Sequence, residues 1–535
     1  MNPMTLLIML KVLQIKIRQV NLFNFSQYNY EYNECVARGI CSTLPGISAL
    51  MEVFFVIIRQ IAYYLLKLKM IGEDTNNEDK ILINLLSVAI KNTYSDEQIL
   101  SLVNSAYTNL QKIRNTYLNK CKEFKIEKSD VNKLISLDSN MNLKDIINLG
   151  ENVFHERYRL YSSEEKDYME LLNIIIKSTS DNLVHLLDYD IPKEKFILEI
   201  LEALNLMNRK KVSLNKYRSF ISNLVNIDNE ISNIIYNLRI KYFGDISKVS
   251  VSYSTNKGKA ILVSGSGLED LKTLLEYLKD TDIDVYTHDD LLSVHAYKYF
   301  RDCKNLKGHF GICQENCILD FAVFPGAIFL TKNSKVHTDY LYRGRLFTMS
   351  EIVPKGAKKI SKNDLSTLIE SAITSKGFAK GQTRPEDVVG FDEVELREIF
   401  EVLSKNLKDK KIDKILVIYP NSTPSKNLDE IISRQDDKTY ILNLSHEELD
   451  VKNYSKINVA NSRYLLSKVM KLFFEYVSFD NTKINFYIQN CEPSSISNII
   501  YLSEKGFKNI SILNCSPNSI RPTLKDFILK KYGNS

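Results

Sequence analysis

Through the first 250 residues apolar positions recur at helical spacing. Ile81, Leu82, Leu85, Leu86 and Ala89 are representative, falling on one face of an α-helix. Only five glycines and three prolines interrupt this region, so it is expected to be helical nearly throughout. Start signals repeat along it: Ser95 with Gln98 before Ile99, Ser162 with Glu165 before Leu171, and Pro192 ahead of KEKFILEILEALNLM. Helices of this length with short connections assemble as hairpins of a bundle.

From Lys259 the texture changes. Short apolar runs such as Ala260 to Ser264 and Asp282 to Thr287 alternate with helical stretches such as LEDLKTLLEYLKD, which predicts a parallel α/β sheet. Glycine, proline and charge gather between Ser375 and Gly390 and mark a further boundary. Beyond it Lys414 to Tyr419, Thr439 to Leu444, Lys483 to Ile488 and Asn509 to Leu513 read as strands of a second sheet. The chain is thus expected to be a multidomain α and α/β protein. A helical bundle would occupy 1–255, a first α/β domain 256–380 and a second 381–535. A length of 535 residues also fits about three domains. In parallel sheets of this kind ligands collect beyond the carboxyl ends of the strands.

Charge narrows the partners. The 71 basic and 65 acidic residues leave +6 with no basic block, so nothing electrostatic calls for nucleic acid or a membrane surface. Eight cysteines are sparse for a disulfide framework in a chain this long and read as thiols or metal ligands in a reducing compartment, with the cytoplasm as the expected location. Lys11 interrupts the apolar opening and no small-residue cleavage site follows, which argues against a secretory signal. The run from Ile47 to Gly72 approaches membrane-span length but contains Glu52, Arg59 and Gln60, so it reads as a buried core helix with Pro45 in its first turn and Gly72 at its C-terminal cap.

Three clusters invite chemistry. VSGSGLEDL, at Val263 to Leu271, runs from a strand through Gly265 and Gly267 into a helix, where backbone amides could hold an anion. A dinucleotide fingerprint needs a third glycine where Asp270 stands, so a tight strand-to-helix turn is the better reading. His288, His295, His309 and His337 fall close to Asp289, Asp290, Cys313 and Cys317, but the spacing from His309 through Cys313 to Cys317 matches no standard zinc pattern. Cys35 and Cys41 form a pair ahead of the apolar helix, two thiols where an iron-sulfur cluster normally takes four.

Read together, ECVARGICSTLPGISALMEV, then ILVSGSGLEDLKTLLEYL with DVYTHDDLLSVHAY, then GHFGICQEN with DFAVFPGAIFLTKNS and YRGRLFT, and the terminal EKGFKNISIL resemble the hybrid cluster (prismane) proteins. These are the hydroxylamine reductases, relatives of the nickel carbon monoxide dehydrogenases. The resemblance implies a prismane-like fold, a helical domain followed by two Rossmann-like α/β domains. It also implies an iron-sulfur oxidoreductase that reduces hydroxylamine or nitric oxide at a mixed cluster held by a histidine, two glutamates and four cysteines.

By the same resemblance those positions are largely replaced. The histidine corresponds to Ser266 and the first glutamate to Asp290; the four cysteines correspond to Ser334, Pro420, His446 (or Ser445) and Asn461; the last glutamate is kept as Glu492. Asp290, His446 and Glu492 remain as possible remnants of the site. Cys35 and Cys41 match the second of the family's two N-terminal cysteine pairs, and could complete an iron-sulfur cluster across the two-fold axis of a homodimer. The expectation is a divergent homologue in which the hybrid cluster is absent and catalysis is lost or retuned. The alternatives are a single-metal redox protein using Asp290, His446 and Glu492, or a non-catalytic binding and assembly protein that pairs with a family member or an electron-transfer partner.

Overall fold

The computed structural model describes residues 46–88, 96–138, 141–209, 211–311, 317–331, 334, 341–350, 352–354, 356–421, 428–477, 481–513, 520 and 522–533. The chain divides into two compact units, one of Met1–Ser180 with Pro192–Leu224 and Ser516–Lys525, the other of Asp181–Ile191 with Val225–Cys515 and Asp526–Ser535.

The first unit is helical. Its described helices are α1 (Ile47–Met70), α2 (Asn76–Val88), α3 (Asp96–Glu123), α4 (Leu143–Leu160), α5 (Ser163–Leu186), α6 (Glu194–Leu206) and α7 (Leu214–Phe243), and the last parts of α5 and α7 belong to the second unit. The apolar run expected to be a core helix is α1, which packs against α3, α4 and α6. It is long and apolar enough to cross a membrane, yet 72% of its apolar window is buried. Gln60 shows why a polar residue is tolerated there, since its side-chain amide donates to the Lys133 carbonyl at 2.9 Å and accepts from the Ile135 N–H at 3.2 Å.

Gly72, at φ 82°, ends α1 in a Schellman turn: its N–H donates to the Lys69 carbonyl and that of Glu73 to the Leu68 carbonyl, both at 3.1 Å. The cap residue at the other end is Gly46, and Pro45 lies outside the described residues. Before α5 the expected capping box forms, with the Ser162 N–H on Glu165 at 2.8 Å and the Glu165 N–H on Ser162 Oγ at 3.3 Å. Ser95 lies outside the described residues.

The second unit holds two parallel sheets and a ribbon. The first sheet has the order β4-β3-β2-β5-β6-β7, formed by β2 (Ala260–Ser264), β3 (Asp284–His288), β4 (Leu306–His309), β5 (Ala327–Leu330), β6 (Leu346–Thr348) and β7 (Lys358–Lys359). The second runs β11-β10-β9-β12-β13, formed by β9 (Lys414–Ile418), β10 (Thr439–Asn443), β11 (Tyr454–Lys456), β12 (Ile484–Ile488) and β13 (Ile510–Ile512). Every neighbouring pair in both sheets is parallel. Helices α8 (Leu268–Leu278), α9 (Glu393–Lys408), α10 (Arg463–Tyr476) and α11 (Pro493–Glu504) connect the strands.

The two α/β regions expected at 256–380 and 381–535 thus each supply a parallel sheet, but they share one unit. The segment expected as a boundary contributes β8 (Glu386–Val389), which pairs antiparallel with β1 (Val249–Ser252) from the end of the region expected to be helical. Gly308 lets the β4 backbone meet β1 closely, because a Cβ there would stand 2.1 Å from the Ser252 carbonyl oxygen. Arg345, in the YRGRLFT phrase, reaches the carbonyls of Phe321 and Gly326, each at 2.8 Å, and of Phe324, tying the turn before β5 to the sheet.

Candidate functional site

In a parallel sheet the place for a ligand is the crevice where the strand order reverses. That crevice lies between β2 and β5 in the first sheet and between β9 and β12 in the second. The positions singled out by resemblance all follow strand ends: Ser266 after β2, Asp290 after β3, Ser334 after β5, Pro420 after β9, His446 after β10, Asn461 after β11 and Glu492 after β12. Ser266, Ser334, Pro420 and Glu492 therefore flank the two reversal points.

Each of these ends is held by the chain's own hydrogen bonds. Thr331 stitches the first crevice: its N–H and hydroxyl donate to the Ser264 carbonyl at 2.9 and 3.2 Å, and its hydroxyl accepts the Gly267 N–H at 3.0 Å. Ser334 donates its N–H to the Thr331 carbonyl at 3.3 Å. Across the second crevice Gln489 donates to the Tyr419 carbonyl at 2.9 Å and Asn490 to Asn421 at 3.3 Å, on either side of Pro420. Glu492 precedes α11 and gives its N–H to Asn490 at 3.1 Å. Ser445 closes its own turn on Asn443 at 2.8 Å, leaving His446 half-buried beside it. Asp289, Ala460 and Asn461 hold φ of 63°, 49° and 57°, a left-handed backbone that side chains rarely adopt and that collects at ligand-binding turns.

Beside Ser266, after the end of β2, lie side chains the sequence had not singled out. Arg239 on α7 donates from its guanidinium to the Ser266 carbonyl at 3.3 Å, and the same guanidinium lies 4.1 Å over the ring of Tyr464. Ser266 is the end-of-β2 position, and Tyr464 stands three residues beyond Asn461. His185 Nε2 reaches Ser266 Oγ at 3.3 Å, and its ring meets Tyr464 edge-on at 6.0 Å. Arg239, His185 and Tyr464 are all buried. Tyr189 donates to Glu269 beside them. Burial pushes the Tyr297 phenol up to about 12 despite the Arg239 charge next to it. Burial opposes the charge of Arg239, but Tyr464, Glu269 and the neighbouring phenols outweigh it and hold its pKa above the ordinary value. Close by, Asp228 accepts from Arg463 at 3.0 Å, Ser497 at 2.8 Å and Asn182 at 3.1 Å, joining α5, α7, α10 and α11.

Tested against a mixed iron-sulfur-oxygen cluster, these residues do not fit. Such clusters are held by soft thiolates, and the four matched cysteine positions carry a serine hydroxyl, a proline with no side-chain donor, an imidazole and an amide. A guanidinium has no lone pair to give, and that of Arg239 donates to the Ser266 carbonyl, so it offers no ligand to a metal beside Ser266. Among the described residues no three histidine, cysteine, aspartate or glutamate side chains gather as a metal-holding group, so Asp290, His446 and Glu492 are not drawn together. Cys35 and Cys41 lie outside the described residues. Cys121 and Cys303 are free thiols, but Cys491 is disulfide-bonded, a correction to the reading of every cysteine as a thiol or ligand.

The described histidines of the cluster, His288, His295 and His309, do gather, and they are held by hydroxyls and one carboxylate. His288 Nδ1 meets Ser264 Oγ at 3.0 Å and its Nε2 meets Asp320 at 3.3 Å. Serine, histidine and aspartate in line have the order of a hydrolase triad, yet Ser264 is fully buried, so the arrangement is a packed support for the strand ends. His337 and Cys313 lie outside the described residues.

A model of the Prismane/CO dehydrogenase family matches residues 31–431. The hydroxylamine reductase of Thermodesulfovibrio yellowstonii is 24% identical over 528 residues, covering 94% of this chain and 95% of that protein. The hydroxylamine reductase of Zymomonas mobilis subsp. mobilis is 27% identical over 362 residues, covering 67% and 65%. Among solved structures, the alpha subunits of an acetyl-CoA synthase/carbon monoxide dehydrogenase with nickel-containing iron-sulfur clusters align over 93% of this chain and 81% of that one, at 9% identity and a TM-score of 0.44. With the family match spanning most of the sequence, the chain belongs to the Prismane/CO dehydrogenase family.

Proposed function

We propose that this chain is a divergent hydroxylamine reductase homologue that has given up hybrid-cluster reduction for a non-catalytic binding or assembly role, pairing with a second copy of itself or with a cluster-bearing relative. Arg239 carries this reading. Its guanidinium spans from the Ser266 carbonyl to the Tyr464 ring, so it joins a position matched to a ligand in the first sheet to a helix that starts two residues beyond such a position, Asn461, in the second. Reduction of hydroxylamine or nitric oxide needs a centre that binds the nitrogen compound and delivers electrons. The serine, proline and asparagine at the matched positions offer no soft ligand for such a centre.

An iron-sulfur cluster on Cys35 and Cys41, completed by the same pair from a second copy, is a separate part of the proposal and would supply electron transfer or hold the dimer together. Anaerobic purification with iron and sulfide quantification tests both parts. Wild-type protein is expected to be brown and to be bleached by Cys41→Ala. The double variant Cys35→Ala/Cys41→Ala is expected to hold no iron. Colourless wild-type protein would end the shared-cluster part, and iron with sulfide retained in the double variant would overturn the loss of the hybrid cluster.

A further inference from the structure

At the edge of the first sheet one hydroxyl joins two buried imidazoles. Thr287 Oγ1, on β3, stands 2.9 Å from His295 Nε2 and 2.8 Å from His309 Nδ1. His295 belongs to the 3-10 segment Asp289–Ala296 that follows β3, and His309 is the last residue of β4. A hydroxyl has a single proton, here within reach of both ring nitrogens and of the Gly308 carbonyl at 3.4 Å, so at least one neutral ring must donate its N–H to it. Among the described residues neither ring has a carboxylate as a hydrogen-bond partner. The groups facing them are the His288 ring, stacked parallel on His309 at 6.3 Å, the Tyr253 ring edge-on to His309 at 5.5 Å, and the Gly308 carbonyl. Asp320 is engaged by His288, and Asp387 lies beside Tyr253.

We infer that this edge is an acid-sensitive latch: neutral His295 and His309 hold β4 and the segment Asp289–Ala296 on β3, and uptake of protons by the two rings releases them. Burial holds His295 down to about 4 and His309 well below the usual histidine value, with His288 and His295 adding to the shift of His309. Because the closed-state values lie below those of a solvated ring, the opened edge binds more protons. The latch is therefore fully stable above about pH 6.5 and weakens as pH falls. At about pH 5 His295 alone favours opening about thirtyfold, and His309 adds to this.

Hydrogen exchange followed by mass spectrometry, corrected for intrinsic rates, tests it on the full-length protein. Between about pH 7.5 and about pH 5 the opening constant for peptides within 285–309 is expected to rise at least about thirtyfold. Peptides covering β9 and β12 are expected to stay protected. The variant His295→Gln/His309→Asn keeps polar side chains that cannot be charged and is expected to remove the response. If that variant does not fold, the contrast between the two sheets in the wild type decides alone. An equal response in both sheets, or none at 285–309, overturns the latch.

Discussion

A guanidinium buried among aromatic rings is stable only where its charge is matched and its donors are used. Arg239 is 2% exposed, with the Ser266 carbonyl, the Tyr464 face and Glu269 around it. Removing it leaves Glu269 and the surrounding phenols without their cation, so Arg239→Met is expected to destabilise the α/β unit by about 3 kcal/mol in urea unfolding. Arg239→Lys should recover only part of this, since an ammonium cannot stack flat on Tyr464. A loss below about 0.5 kcal/mol for Arg239→Met would mean the guanidinium is not integrated as described. In the sequence this residue is one of two cations, with Lys241, in the NLRIKYF run of a helix. Nothing in helical periodicity separates it from a solvated arginine, because what buries it comes from residues 185, 266 and 464. Ser266 and Ser334 were legible as strand-end positions; that Thr331 stitches the crevice between them was not, since a threonine after a strand carries no signal of its own.

At the scale of elements, local rules carried far. The strands at 260–264, 414–418 and 439–443 begin where the apolar runs begin, and the Ser162–Glu165 capping box and the Gly72 turn follow from their residue types. What escaped was non-local. Strand β8 is exposed at two of its four residues and lies in a segment rich in glycine, proline and charge, so only its partner β1, more than a hundred residues earlier, makes it a strand. Helix crossings hide in the same way. Gly150 sits in α4 where a Cβ would stand 2.0 Å from the Ala49 carbonyl oxygen of α1, so the two backbones touch. Gly150→Ala improves helix propensity but is expected to cost about 2–3 kcal/mol through this clash, read as a lowered thermal midpoint. A midpoint equal to or above that of the wild type would show that α1 and α4 do not cross at this glycine.

For the whole molecule, fold and chemistry have separate physical bases. The two sheets rest on buried aliphatic strands such as Ile415–Ile418 and Ile261–Val263, so the architecture depends on packing and not on the identity of side chains at the strand ends. The positions singled out by resemblance follow seven different strand ends, and those after β2, β5, β9, β10 and β12 carry hydrogen bonds from nearby amides and hydroxyls. The central claim is that Arg239, His185 and Tyr464 occupy the place of a metal cluster between those ends. It is tested most directly by a crystal structure of anaerobically purified protein with an anomalous difference map collected at the iron edge. The account expects the Arg239 guanidinium between Ser266 and Tyr464 with no iron peak there, whatever signal appears at Cys35 and Cys41. An iron peak between Ser266 and Asn461, with Arg239 displaced, would contradict it.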